Sequence, residues 1–265
     1  MIYAWMLHNR ALTQPKDFDF KAFFDLVSAF SEKHKLKASF YDLSGDPYPE
    51  DIIKPTKALK LLQDNEFEGL TGLGIYLAVP SGKDFAFYWK ALIQVRLRNK
   101  RGLEFFAGVN ESSVSTAEVK EQLILPVSGM IDVQYGYAYR KSPEDGPFGY
   151  GLGFIHLPDD KEMPEPEKET IVQWNNHSEE IEKGRLRDLF QENLLSKVHL
   201  ERKLSSGTFK DWIGDHKDDM ELEKFTKGIQ LLSVKKQNYT ERRAELADDD
   251  MLISYDSSVE PTALF

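Results

Sequence analysis

Between Gly72 and Val109 apolar residues recur at every second position, and this spacing narrows the fold more than any other feature of the chain. Ile93, Val95 and Leu97 alternate with Gln94, Arg96 and Arg98, and Leu103 to Val109 returns after a turn at Asn99 to Gly102. A period of two places one set of side chains on one face of a strand, whereas a helix would scatter the same set around its axis. Gly72 to Val79 and Phe85 to Ala91 read as two more strands, turned by Pro80, Ser81 and Gly82. The region predicts an antiparallel meander, with the alternation burying Ile93, Val95 and Leu97 and turning Arg96 and Arg98 outward.

A sheet with one apolar face needs a covering layer, and helical spacing supplies it. Phe20, Phe23, Phe24, Val27 and Phe30 form an i, i+3, i+4, i+7 stripe within Phe18 to Leu36, headed by Asp17 and Asp19. Pro55 opens a short helix carrying Ala58, Leu61 and Leu62, and Ser115 with Glu118 forms a capping-box pattern at the head of Thr116 to Leu125, which Pro126 should end or kink. Further strands are expected at Ile2 to Leu7, Lys37 to Leu43, Val133 to Tyr139, Tyr150 to Leu157 and Gly228 to Val234. Further helices are expected around Trp212 and over Tyr239 to Ala247. The fold class is therefore α+β, mainly antiparallel sheet with helices packed on one face. The chain reads as a single domain over 1–265, or as two subdomains, 1–141 and 142–265, with Lys161 to Glu169 as the best linker.

The subdivision follows charge. From Ser142 to Glu182 there are eleven acidic residues and two lysines, Lys161 and Lys168, and a second acidic run spans Glu245 to Glu260. These stretches account for more than the net charge of −10, so the remainder is slightly basic. Such a balance disfavours nucleic acid as a ligand, because phosphate binding is driven by Lys and Arg. It suits a basic protein partner as well as mere solubility. The absence of cysteine excludes disulfides, thiolate metal sites and a Cys nucleophile. The beginning MIYAWMLHNR lacks a signal-peptide pattern, and no run approaches a membrane span, so a cytoplasmic protein with no membrane partner is expected.

No catalytic signature stands out. Gly149, Gly151 and Gly153 superficially suggest a phosphate loop but lack the dinucleotide spacing, and fit a strand with close backbone approaches better. The histidines show no metal-ligand spacing. His216 beside Asp215, Asp218 and Asp219 fits an exposed turn, and Asp248 to Asp250 lacks the frame of a calcium loop. Neither a metal nor a cofactor is called for.

Four segments carry a resemblance: Gly184 to Leu200 (GRLRDLFQENLLSKVHL), Thr208 to Ile213 (TFKDWI), Tyr135 to Tyr139 (YGYAY) and Tyr150 to Phe154 (YGLGF), together with Trp174 and Trp212. This block resembles bacterial immunity proteins associated with polymorphic toxins and type VI secretion, the Imm52 type in particular. The resemblance covers the second half of the chain in its motifs and the first half only in general organisation. It implies a non-enzymatic protein that binds and neutralises a cognate secreted toxin, a cytoplasm-acting nuclease with a basic groove. On that reading Glu144, Asp145, Asp159, Asp160 and Glu162 form the electrostatic part of the interface, while the tryptophans belong to the core. A homodimer is compatible, since many strands leave edges to protect. A hydrolase or transferase with an unrecognised site, and a secretion-system accessory protein, are the other classes open to this sequence.

Overall fold

A computed structural model describes residues 1–98, 101–159 and 161–259. The chain divides into two compact units, Met1–Asp132 and Val133–Phe265. The change of composition after Lys141 falls inside the second unit, at the end of its first strand.

Among its described residues the first unit has six strands: β1 (Ile2–Asn9), β2 (Ala38–Gly45), β3 (Asp51–Ile53), β4 (Leu70–Leu77), β5 (Ala91–Arg98) and β6 (Gly102–Asn110). They lie side by side in the order β1-β6-β5-β4-β2-β3, every neighbouring pair antiparallel. The register puts Val95 opposite Phe105 and Leu73, and Trp5 opposite Ala107, so one face is continuously apolar. Helix α1 (Phe20–Lys33) covers that face with buried Phe20, Phe23, Val27 and Phe30, and the Phe23 and Phe105 rings meet edge to face at 6.1 Å. Asp19 caps α1 by accepting from the Ala22 amide at 2.9 Å. Helix α2 (Pro55–Asp64) buries Ala58 and Leu62.

Helix α3 (Thr116–Val119) begins with the expected reciprocal capping box of Ser115 and Glu118. Pro126 does not end the helical run. A π turn over Lys120–Ile124, in which the Leu125 amide reaches back to the Lys120 carbonyl, comes between α3 and α4 (Leu125–Met130). The wider turn places Pro126 in the first turn of α4, where its missing N–H and fixed φ are tolerated.

The outward face of this sheet is more occupied than its arginines suggest. Gln94 is buried and donates to Asp42 at 2.5 Å, Arg96 pairs with the same carboxylate at 3.1 Å, and Arg98 pairs with buried Glu104 at 2.9 Å. Burial pushes the Glu104 carboxyl upward, opposed first by Arg98 and then by Arg101.

One expected strand here is a turn. Phe85 to Lys90 curls, with the Asp84 side chain accepting from the Ala86 amide at 2.8 Å and the Tyr88 amide donating to the Asp84 carbonyl at 2.9 Å. Alternation at Phe85, Phe87 and Trp89 reflects rings packing onto strands rather than pairing as one. Phe85 contacts Phe40 and Tyr76, and Trp89 contacts Phe106.

In the second unit β7 (Tyr135–Lys141) leads to α5 (Pro147–Leu152) and α6 (Glu165–His177). Then follow β8 (Glu192–Ser196), α7 (Lys197–Leu200), a small hairpin of β9 (Lys203–Leu204) and β10 (Gly207–Thr208), α8 (Phe209–Asp215), β11 (Met220–Thr226), β12 (Ile229–Val234) and α9 (Tyr239–Asp248). The main strands run β11-β12-β8-β7, again antiparallel. Tyr150 to Leu157, expected as a strand, begins as helix: Pro147 sits in the first turn of α5, and left-handed Gly153 (φ 79°) closes it. The glycines there are helical and C-capping, not bulges in a sheet. Pro164 and Pro166 likewise head α6, so Lys161 to Glu169 is a loop entering a helix rather than a linker.

The segment that carried the resemblance forms the centre of this unit. Leu186, Arg187, Asp188, Leu189 and Phe190 are all buried. The Arg187 guanidinium donates to the Tyr137 hydroxyl at 2.5 Å and the Gly151 carbonyl at 3.1 Å, and lies against the rings of Tyr150, Tyr137 and Trp174. Asp188 takes both ends of the Arg243 guanidinium from α9 at 2.7 Å. Burial raises the Asp188 carboxyl and the Arg243 pairing opposes it. Two matched 2.7 Å bonds are the geometry of an ionised, bidentate pair. The Leu186 amide donates to Met251, the Ile253 amide to Leu186 and the Ser254 amide to Arg187, tying residues 251–254 alongside.

Candidate functional site

The sequence placed the acidic surface of the second unit at Glu144, Asp145, Asp159, Asp160 and Glu162, and four of these can be located. Asp160 lies outside the described residues. Glu144 and Asp145 form a single 3-10 turn after β7, begun by Pro143 and ended by left-handed Gly146. Asp159 and Glu162 stand on the loop from α5 to α6. Gly146 explains why the two segments can lie together. A Cβ there would come within 2.0 Å of the His156 carbonyl, so the backbones touch where only glycine fits.

Lys161 fastens the arrangement. Its ammonium lies 3.1 Å from Asp145 and 3.4 Å from Glu144, and Ser142 donates to Asp145 at 2.6 Å. Partial burial acts to raise the Asp145 carboxyl, but the bonds from Ser142 and Lys161 outweigh it and hold the group below the usual carboxylate range. The hydrogen bond to Asp145 in turn raises the Lys161 ammonium. Asp145 is thus partly consumed in positioning the loop, whereas Asp159 and Glu162 point to water. Lys168 pairs with Glu165 at 3.0 Å, and Lys141, buried under the turn, pairs with Glu167 and lies against the Tyr150 ring.

A shallow groove of about 500 Å³ runs along this loop, lined by Ile155, Leu157, Pro158 and Met163 with Asp159 and Glu162. Ile155 is 45% exposed, and Val172 on α6 is 49% exposed beside a buried face of Thr170, Ile171 and Trp174. These two side chains escaped the sequence reading. Ile155 was absorbed into an expected strand, and Val172 is out of phase with a helix that the prolines had obscured. Trp174 and Trp212 are buried, as expected for core residues.

The groove also brings His156 to the same wall as Asp159 and Glu162. General acid–base groups gain their power from burial and fixed geometry. Here the ring and both carboxylates are exposed, so water screens them. Exposed charge around exposed aliphatic surface is instead the make-up of a protein-binding rim and anchor. The His216 ring lies tilted against Trp212 and its Nδ1 donates to the Trp212 carbonyl, with Glu245 at 3.5 Å. Among the described residues, no group of three or more His, Asp or Glu is placed to hold a metal ion. None of the described helices is long and apolar enough to cross a membrane.

No family model matches the sequence, and no curated protein matches it. The fold is similar to that of the Pseudomonas aeruginosa T6SS protein PA0821, with a TM-score of 0.58 and 10% identity over 95% of this chain and 73% of that one. A second structure, the toxic C-terminal tip of CdiA from Pseudomonas aeruginosa in complex with immune protein, aligns over 62% of this chain and 97% of its own at 13% identity. Its TM-score is 0.30, at which no common fold is shown.

Proposed function

We propose that this chain is an immunity protein that binds a cognate secreted toxin and blocks it by contact in the cytoplasm. The observation that carries the reading is the single loop surface on which exposed Glu144, Asp159 and Glu162 surround exposed Ile155 and half-buried Leu157 and Pro158. Carboxylates at the rim speed encounter with a basic partner and select it, while the aliphatic side chains supply affinity on desolvation. A nuclease fits this chemistry best, because its substrate groove must be cationic to hold phosphates. The likeness in fold to a T6SS protein over nearly the whole chain supports the same reading. No cofactor enters such a mechanism, and nucleic acid is the toxin's ligand rather than this protein's.

The test pairs rescue with kinetics. Co-expression with the toxin encoded beside this gene should restore growth, and failure to protect would remove the immunity reading itself. In the purified complex, a variant with Glu144→Gln, Asp145→Asn, Asp159→Asn and Glu162→Gln should associate about tenfold more slowly at low salt and lose most of its salt dependence. Unchanged association with rescue intact would move the interface elsewhere while leaving the immunity reading standing.

A further inference from the structure

We infer that the first unit carries a separate docking surface, on the α1–α2 face, for a basic amphipathic segment of a protein partner that inserts a large apolar side chain. The inference stands on the first unit alone and holds whether or not the partner is a toxin.

Helices α1 and α2 do not close over one another. Between them lies a groove of about 500 Å³ lined by Phe24, Leu59, Leu62 and Phe67, with Lys21 and Glu66 at its mouth. Leu59 is 43% exposed on the outer side of α2, although the buried side of that helix is already satisfied by Ala58 and Leu62. A second groove of about 530 Å³ continues past the same Phe67 towards Phe18, Gly69 and Leu70. Phe67 therefore stands as a ridge between two apolar hollows, its ring 5.4 Å from that of Phe24.

The backbone holds Phe67 there at a cost. Glu66 and Phe67 both take left-handed conformations, with φ of 50° and 65°, which residues bearing a Cβ seldom adopt in succession. The Phe67 amide is tied to the Leu62 carbonyl at 3.2 Å and the Glu68 amide to the Asn65 carbonyl at 2.9 Å. The turn thus presents an aromatic ring at the surface, flanked by two exposed carboxylates, Glu66 and Glu68.

Charge decides the occupant. Lys21, the cation at the mouth, is engaged by Asp25 one helical turn on, at 2.5 Å. Along the continued groove three carboxylates, Asp19, Glu66 and Glu68, face two ammonium groups, Lys16 and the same Asp25-paired Lys21. An apolar side chain seated between Phe24, Leu59 and Phe67 would meet carboxylates at the rim, so flanking Lys or Arg is favoured and flanking Asp or Glu is opposed.

The test uses the full-length protein and, as probe, a short helical peptide of leucines at i, i+3, i+4 and i+7 with lysine elsewhere. Its controls replace every lysine by glutamate or every leucine by serine. Fluorescence anisotropy should show the Leu/Lys peptide binding and both controls weaker by about tenfold or more, with amide NMR shifts centred on Phe24, Leu59 and Phe67. Leu59→Gln, at a position exposed enough to leave folding intact, should weaken binding about tenfold, and Glu66→Gln with Glu68→Gln should weaken it several-fold at low salt only. Equal binding of the glutamate peptide, indifference to Leu59→Gln, or shifts confined to the Ile155–Leu157 loop would each overturn the inference. Concentration-dependent dimerisation abolished by Leu59→Gln, without peptide binding, would overturn it in favour of a second copy as the occupant.

Discussion

The two units use buried charge in opposite ways. In the first, the apolar face of the sheet is closed by aromatic and aliphatic side chains, and the pairs Asp42–Arg96 and Glu104–Arg98 lie on the other face, where the carboxylates are largely covered but the arginines stay about a third and a quarter exposed. In the second, the ion pair is the centre: Asp188–Arg243 is almost wholly buried, and the Arg187 guanidinium is enclosed by aromatic rings and carbonyls. Periodic burial needs only the right spacing, so it tolerates change at individual positions. A buried charge needs one particular partner, so its surroundings are specified residue by residue.

The largest expected effect is a direct test of that contrast. Asp188→Ala leaves the Arg243 guanidinium buried without its carboxylate and should cost about 3–5 kcal/mol in urea unfolding. Replacing both partners, Asp188→Leu with Arg243→Met, should recover much of the loss. Asp42→Ala, which breaks the partly exposed pair of the first unit and leaves buried Gln94 without its acceptor, should cost less, about 1–3 kcal/mol. Equal costs for the two alanine variants would erase the distinction.

A second expectation concerns pH. His199 is buried, stacks on Tyr135 and shares a 2.9 Å bond with Ser196. Burial, reinforced by Arg202, lowers its folded pKa to about 3. The unfolded chain therefore takes up the proton first as pH falls below about 6.5, and the His199 contribution to stability, complete above that value, is lost progressively down to about pH 3. His199→Phe should flatten the acid limb of the stability profile by as much as about 1.4 kcal/mol per pH unit. An acid limb that is unchanged in the variant would show that the ring titrates as freely folded as unfolded.

The smallest effect belongs to the first unit. Ser115→Ala removes one half of the capping box at α3 and should cost about 1 kcal/mol by thermal or urea unfolding, with Ser115→Asp restoring it. A much larger loss would mean that this helix start, local though it is, carries tertiary load like the centre of the second unit.

The same contrast explains what could be read from the chain before its structure. Alternation at Ile93, Val95 and Leu97, the stripe from Phe20 to Phe30 and the Ser115–Glu118 spacing each report a neighbour a few residues away, and each produced the expected element. Errors arose where local patterns had a tertiary cause. Phe85, Phe87 and Trp89 alternate because their rings cover other strands, and the glycines from 149 to 153 permit a helix to lie against a returning loop. The partnership of Asp188 with Arg243 spans 55 residues, and nothing adjacent to either residue announces it. Of the candidate interface, the carboxylates were legible as composition. Lys161, which binds Glu144 and Asp145 into one turn, read only as a minor offset to the charge, and the exposed Ile155 and Val172 could be found only once their surroundings were known.

The distance in sequence between Asp188 and Arg243 also has a temporal meaning. At synthesis rates of about 5–20 residues per second, the carboxylate emerges roughly 3–11 s before the guanidinium that neutralises it. Over that interval Leu186, Leu189 and Phe190 have no finished core to enter, and the backbone partners at 251–254 are later still. The nascent second unit is thus obliged to wait with this core segment exposed. Its dependence on chaperones should rise with slower translation through residues 188–254, a vulnerability set by the order in which the chain is made and invisible in its final stability.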